Sequence, residues 1–139
     1  MEKYIAETVG TFALVFVGTG AIVVNETYDG VVTHVGIAIA FWLVIMVMLY
    51  AVGAISGAHF NPAVTLAFAL RRELSAREAI AYVACQVIGG ILGVWASHLM
   101  FDLAILQTSA TDRAGLNLWA SEIIATFGLL FVIFGGIAK

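Results

Sequence analysis

The stretch SGAHFNPAVT, residues 56–65, interrupts the longest apolar run of this chain. That run extends over 31–70, has no Asp, Glu, Lys or Arg, and holds the chain's single proline. Asn61 is a favoured helix N-cap residue. Pro62 suits the first helical position because an N–H at that position has no intrahelical partner. The stretch therefore predicts that a short helix begins in the middle of an apolar segment.

The composition predicts that most of the chain lies in lipid. Hydrophobic residues make up 63% of the 139 residues and charged residues 11%, whereas soluble domains are about half apolar and about a quarter charged. Uncharged runs cover 8–25, 31–70 and 79–101, and Glu122 is the only charge in 114–138. One crossing needs about 20 residues. The chain is therefore expected to cross the membrane several times, and its net charge of -3 gives no reason to expect a nucleic-acid partner.

The basic residues indicate how the 31–70 run crosses the membrane. One crossing, followed by a segment that enters the membrane and returns, leaves only Arg113 outside. The other five basic residues then share one side: Lys3, Arg71, Arg72, Arg77 and Lys139. The positive-inside rule places that side and the N-terminus in the cytoplasm, with external loops at 25–30 and 102–117. The alternative, a crossing helix kinked at Pro62, puts the loop arginines on the external side.

The returning segment is predicted to be a half-helix. Residues 62–70 would extend about 14 Å, roughly half the hydrocarbon core, and end at Arg71 and Arg72. Residues 56–60 would then be irregular backbone inside the membrane, which is tolerated only where protein buries it or it lines a water-filled cavity. The carbonyls of this backbone and the N–H groups at the helix start suit a small, neutral, hydrogen-bonding solute and repel cations.

An internal repeat is the second signal in the sequence. Residues 7–22 and 122–137 are identical at eight of sixteen positions at an offset of 115, and both begin with Glu. Three predicted crossings separate the copies, so the second copy starts from the opposite side of the membrane. This pattern predicts an inverted repeat, with binding or conduction sites near the midplane. The second repeat begins near 117 and is expected to be incomplete.

These features together resemble the aquaporin and glycerol-facilitator family, the major intrinsic proteins. SGAHFNPAVT is similar to the first signature loop of that family, and the surrounding patterns agree with it: ExxxTFALVF, AFWLVIMVMLYAVG, YVACQVIGG and ExxxTFGLLFVIFG. The resemblance implies an all-α membrane protein with an aquaporin-like right-handed helical bundle and inverted repeats. Four membrane helices are expected at 4–25, 33–54, 76–101 and 117–139, with a re-entrant loop and half-helix at 56–71.

Family members have six helices and two half-helices, and they usually assemble as homotetramers. The resemblance therefore implies that this chain is a fragment of a longer channel. The alternative is a half-channel in which two copies complete one pore.

The resemblance also assigns pore residues. In the motif Asn61, Pro62 and Ala63, the Asn61 amide would donate to the passing solute while capping the half-helix; the alternative role is capping alone. Gly57, Ala58 and His59 would line the cytoplasmic approach, unless His59 is a buried, satisfied histidine. Phe41 corresponds to the aromatic constriction, where Phe is typical of water-selective members and Trp of glycerol-passing ones; Trp42 is its neighbour.

Three buried polar residues are implied to hold the structure together: Glu7, Gln86 and Glu122. A carboxylate in a membrane helix is costly unless it is paired or functional. The resemblance assigns both glutamates to hydrogen bonds with the loops before the half-helices, although Glu122 would lack its own loop in this chain. An interfacial position near Lys3 is the alternative for Glu7.

The expected function is passive conduction of water, or of other small neutral solutes, with exclusion of ions and protons. Alternatives are a glycerol or small-solute facilitator of the same family and a secondary transporter with a broken helix, which should have coupling carboxylates that 31–70 lacks. No enzymatic activity, cofactor or metal is expected. The expected location is a plasma or inner membrane.

Overall fold

The fold is entirely helical in the part of the chain that the computed structural model describes, residues 1–107 and 114–138. Its helices are α1 (Glu2–Thr27), α2 (Thr33–Ser56), α3 (Pro62–Leu70), α4 (Ala76–Met100) and α5 (Leu116–Ile137). All except α3 are long and apolar enough to cross a membrane. The predicted all-α membrane class is therefore confirmed. Arg113, in the predicted external loop, and Lys139, at the predicted end of the last helix, lie outside the described residues.

Capping residues explain where the shorter elements begin. Asn61 has an extended backbone, its Oδ1 accepts a hydrogen bond from the Ala63 N–H at 2.8 Å, and Pro62 occupies the first turn of α3. At α4, Ser75 Oγ accepts from the Glu78 N–H and the Glu78 carboxylate accepts from the Ser75 N–H, which completes a capping box. These local devices separate α3 from α4 within five residues.

The chain divides into two compact units, Met1–Leu106 and Gln107–Lys139. In the first unit, α1 packs against α2 and α4, and α3 packs against α4. Gly89 and Gly93 of α4 face the α1 backbone, where a Cβ atom on either glycine would overlap the carbonyl oxygen of Thr8 or Phe12. Close approach through small residues is how helices associate in lipid. This contact holds α1 against α4, the helix on which α3 packs.

Two phenylalanine rings pack against glycines of α1. A Cβ atom on Gly10 would overlap the ring of Phe60, and one on Gly18 would overlap the ring of Phe41. Phe60 belongs to the segment before α3, and Phe41 belongs to α2. The glycines of α1 thus bring both the irregular segment and α2 close to its axis.

In the second unit, α5 is described by itself. None of its residues is buried. Most of its large apolar side chains are exposed, including Phe127 and Phe131, whose rings stack on each other.

Candidate functional site

The candidate site is the irregular segment from Gly57 to Asn61, between α2 and α3. Its backbone has positive φ angles at Gly57 (85°), Ala58 (51°) and Phe60 (47°). Left-handed backbone is uncommon for residues with a Cβ atom and costs free energy unless the surroundings hold it in place. Specific contacts must therefore fix this segment.

The Glu7 carboxylate of α1 supplies those contacts. Its Oε1 accepts from Ser56 Oγ at 2.7 Å and from the His59 N–H at 3.0 Å. Its Oε2 accepts from the Phe60 N–H at 2.9 Å and from Gln86 Nε2 at 2.7 Å. The side chain is 0% exposed, so Glu7 is buried in the protein rather than interfacial. One buried carboxylate thus satisfies two backbone N–H groups that the irregular segment leaves without helical partners.

Gln86 of α4 joins Glu7 to the half-helix. Its Nε2 also contacts Thr65 Oγ1 at 2.9 Å, and Thr65 Oγ1 lies 3.1 Å from His59 Nδ1. Tyr82, one turn before Gln86, donates its hydroxyl to the Ser56 carbonyl at 3.0 Å. The polar side chains of this cluster come from α1, α2, α3, α4 and the irregular segment.

Thr65 and Tyr82 were missed by the sequence reasoning. A helical spacing could have found both, because Thr65 lies four residues after Asn61 and Tyr82 lies four residues before Gln86. Residues four apart lie on the same face of a helix. Thr65 therefore lies on the same helix face as Asn61, and Tyr82 lies on the same face as Gln86.

The cluster lies near the middle of α4. Gln86 is ten residues after Ala76, or about 15 Å along the helix at about 1.5 Å per residue, in a helix of 25 residues. Because Gln86 contacts Thr65, the first turn of α3 lies at that same depth. Irregular backbone and a helix N-terminus therefore meet halfway along a membrane-length helix.

Asn61 is half-buried at the start of α3. Its Oδ1 is engaged by the cap, and its Nδ2 has no hydrogen-bond partner among the described residues. An amide nitrogen of this kind carries two donor hydrogens. Pro62 is exposed and Ala63 is half-buried, so the motif residues lie at the edge of the cluster.

His59 is 9% exposed and has partners on several sides. Its ring stacks on Phe68 with centroids 4.4 Å apart, and it meets Tyr82 edge-on at 5.3 Å. Gly57 is exposed and Ala58 is half-buried, so these two residues are the open part of the approach. This arrangement is close to the buried, satisfied histidine that the sequence left as an alternative.

Phe41 and Trp42 face different surroundings. Phe41 is half-buried with its ring against Gly18, whereas Trp42 is 62% exposed. Phe41 is therefore the member of the pair that turns toward the protein.

Glu122 is exposed, as are most residues of α5. Its role as a buried polar residue stays a prediction. The donors that bury Glu7 come from the irregular segment and α4, while α5 has no buried residue at all. The carboxylate thus shares the exposure of its whole helix.

The described residues contain no group of three or more His, Cys, Asp or Glu residues that could hold a metal ion. The side chains that meet at the site are instead one carboxylate, two amides, two hydroxyls, a phenol and an imidazole. Such a set binds through hydrogen bonds.

The fold and this site define a multi-pass helical membrane protein with a broken segment at mid-helix depth. The sequence profile of the major intrinsic proteins matches residues 1–139, and the chain belongs to that family.

Curated relatives agree with this assignment. Aquaporin NIP1-1 of Oryza sativa subsp. japonica is 46% identical over 137 residues, which cover 97% of this chain and 48% of that protein. Nodulin-26 of Glycine max is 47% identical over 137 residues, covering 97% and 51%. Probable aquaporin NIP4-2 of Arabidopsis thaliana is 44% identical over 137 residues, covering 96% and 48%. The chain spans about half the length of the curated relatives it matches.

Proposed function

We propose that this protein is a passive membrane channel for water, or for other small neutral solutes, that excludes ions and protons. The observation that carries the proposal is the Glu7-anchored segment leading into a capped half-helix at mid-helix depth. Membership of the major intrinsic proteins, with relatives named aquaporin, supports the same function.

Both kinds of hydrogen-bonding group are available to a solute in this mechanism. The open backbone at Gly57 and Ala58 provides carbonyl acceptors, and the Asn61 Nδ2 hydrogens provide donors. A water molecule that exchanges its bulk hydrogen bonds for these contacts loses little free energy. Conduction of this kind needs positioned dipoles only, with no covalent step, cofactor or energy coupling.

The half-helix provides the barrier to cations. The N-terminus of a helix carries about half a positive charge, and this charge acts strongly where water is scarce. The α3 N-terminus carries no acidic residue in its first turn that would cancel this charge. A cation approaching Asn61 is therefore repelled, while a neutral solute is not.

Phe41 supports a preference for water over glycerol. In the family a Phe at the constriction is typical of water-selective members, and in this chain Phe41, rather than Trp42, turns toward the protein. A secondary transporter would need carboxylates beside the broken segment for a coupling ion. The carboxylate found there, Glu7, accepts four hydrogen bonds as a support of the segment.

The proposal includes the surroundings of the channel. Cytoplasmic placement of the N-terminus and of the loop from Arg71 to Arg77 follows from the positive-inside rule. A plasma or inner membrane and a homotetramer follow from the family resemblance. Cysteine labelling from either side of the membrane would test the orientation, and chemical crosslinking in native membranes would test the tetramer.

The substitution Asn61→Asp tests the pore role in proteoliposomes. Aspartate caps a helix as well as asparagine does, so α3 should persist, but the two amide donors are replaced by a carboxylate at the narrow point. We expect rapid osmotic shrinkage for the unmodified protein and a raised proton and cation leak for the variant, measured by stopped-flow light scattering and a pH-sensitive dye.

Asn25→Asp is the matched control, because it makes the same chemical change in the last turn of α1, outside the candidate site, and aspartate keeps the oxygen that accepts from the Thr33 N–H. An unchanged leak in Asn61→Asp, or shrinkage no faster than that of protein-free liposomes when the protein is inserted, would contradict the proposal. A shrinkage trace with glycerol as the osmolyte tests the preference drawn from Phe41.

A further inference from the structure

The buried cluster around Glu7 has hydrogen bonds whose direction can be followed from one residue to the next. All four contacts of the carboxylate are made by donors: the Ser56 hydroxyl, two backbone N–H groups and the Gln86 amide. Ser56 Oγ also accepts from the Ala58 N–H, so its own hydrogen is available for Glu7. Glu7 therefore acts only as an acceptor, as an ionised carboxylate does.

The orientation of the Gln86 amide follows from Glu7. Its nitrogen must face the carboxylate at 2.7 Å, because its oxygen there would place two acceptors in contact. The second hydrogen of the same nitrogen then points to Thr65 Oγ1 at 2.9 Å. Gln86 is 2% exposed, and its Oε1 has no partner among the described residues. The carboxylate thus determines that Thr65 receives a hydrogen bond from Gln86.

The direction of the Thr65 hydroxyl follows in turn. Thr65 is 0% exposed, and its Oγ1 contacts only Gln86 Nε2 and His59 Nδ1 within the described part of the chain. Since Oγ1 accepts from Gln86, the one acceptor left for its own hydrogen is His59 Nδ1 at 3.1 Å. An imidazole nitrogen that accepts carries no proton, so the proton of the neutral ring is on Nε2.

The Nε2 edge of the ring lies on the open side of the segment. A methyl group placed on the Gly57 α carbon would lie 3.4 Å from both Nε2 and Cδ2 of His59. Gly57 is exposed, whereas the opposite edge of the ring is held by buried Thr65. The protonated nitrogen is therefore the one directed toward the approach to Asn61.

We propose that Glu7, Gln86 and Thr65 are positioning residues that hold His59 as its Nε2–H tautomer, so that a fixed N–H donor beside Gly57 meets solutes with an oxygen acceptor. The role of the donor in conduction rests on the proposed channel function, whereas the tautomer itself does not. His59 then has both of the roles that the sequence offered as alternatives. Its Nδ1 edge is buried and hydrogen-bonded, and its Nε2 edge donates to the solute.

Nitrogen NMR of the protein in lipid nanodiscs tests the tautomer directly. Histidine labelled with ¹⁵N in the ring gives different nitrogen shifts and ring-proton correlations for the two neutral tautomers, and the His59 signals are assigned by their loss in His59→Asn. At neutral pH we expect a protonated Nε2 and an unprotonated Nδ1. A protonated Nδ1 in the unmodified protein would overturn the proposal, whatever the variants do.

Thr65→Val and Thr65→Ser form the matched pair. Valine keeps the shape of threonine but removes the hydroxyl, so His59 should populate both tautomers; serine keeps the hydroxyl and should preserve the single Nε2–H form. A single Nε2–H form in folded Thr65→Val would overturn the relay. Because one net hydrogen bond is at stake, we expect permeability to fall about two- to tenfold in Thr65→Val only.

The two proposals fail in different ways. Loss of permeability in every preparation, with the expected tautomer intact, would overturn the channel function and leave the relay supported. Normal permeability with the wrong tautomer would overturn the relay alone.

Discussion

The two copies of the internal repeat, in α1 and α5, have similar sequences but differ in burial. They share eight of sixteen residues at an offset of 115, including Glu7 with Glu122 and Thr11 with Thr126. In α1 the polar residues of these pairs are buried, whereas α5 has no buried residue. The sequence of a helix thus provides the carboxylate, and other elements determine whether it is buried.

The residues that differ between the copies show a second requirement. Gly10 and Gly18 of α1 accept the rings of Phe60 and Phe41, and Ala125 and Ile133 stand at the corresponding positions of α5. A Cβ atom on either α1 glycine would overlap a ring. The ring contacts are therefore particular to the first copy, while the carboxylate is common to both.

The largest expected effect comes from removing the carboxylate from each copy. Glu7→Ala leaves donors on Ser56, His59, Phe60 and Gln86 buried and unpaired. Because each buried unpaired group costs about 1–3 kcal/mol, we expect a loss of at least about 3 kcal/mol in the free energy of unfolding. Glu122→Ala, on an exposed side chain, should change stability little.

Unfolding of both variants in detergent, followed by circular dichroism against temperature, checks this difference. Equal losses of stability in the two variants would show that Glu7 and Glu122 stabilise the protein equally. The difference in burial between α1 and α5 would then have no effect on stability. Glu7→Gln should fall between, because an amide keeps one acceptor oxygen in place of two.

The next effect concerns the glycine that receives Phe60. Gly10→Ala places a methyl group inside the volume of the Phe60 ring, and overpacking of this kind costs about 1–3 kcal/mol. The reverse change in the other copy, Ala125→Gly, should cost only about 0.5–1 kcal/mol, the difference in helix propensity. Chemical denaturation of both variants in detergent measures the two losses.

A double mutant separates the steric effect from the propensity effect. Leucine is smaller than phenylalanine, so Phe60→Leu should recover part of the loss in Gly10→Ala and none of the loss in Ala125→Gly. Additive losses in the Gly10 and Phe60 pair would show that the ring does not press on this position.

The sequence predicted the helices and the half-helix well because their determinants are local. Apolar run lengths indicate the membrane helices, and Asn61 with Pro62 indicates the start of α3, where the Asn61 Oδ1 accepts from the Ala63 N–H. The capping residues Ser75 and Glu78 act within one turn, so they too can be read from the sequence.

The sequence did not predict which partners share the buried cluster. Thr65 and Tyr82 have ordinary apolar neighbours, and their roles depend on the approach of α1 to α4 through Gly89 and Gly93. The prediction that Glu122 is buried rests on a local pattern that matches that of Glu7. Burial depends on contacts distant in the sequence, which a repeat in one helix does not encode.

The smallest expected effect lies at the N-terminal start of α1. The first copy of the repeat has an ion pair there that the second copy lacks. Lys3 Nζ lies 2.5 Å from Glu78 Oε1, joining the start of α1 to the start of α4, and Leu118 stands at the corresponding position of α5. Both side chains are about one-third exposed, so the attraction is weakened by water and screened by salt.

Lys3→Met should therefore lower the unfolding temperature slightly at low salt and not at high salt. Glu78→Ala should lower it more and at both salt concentrations, because Glu78 also completes the capping box of α4 and alanine offers no acceptor for the Ser75 N–H. A larger effect of Lys3→Met than of Glu78→Ala would mean that the ion pair, rather than the cap, holds this end of the α1–α4 contact.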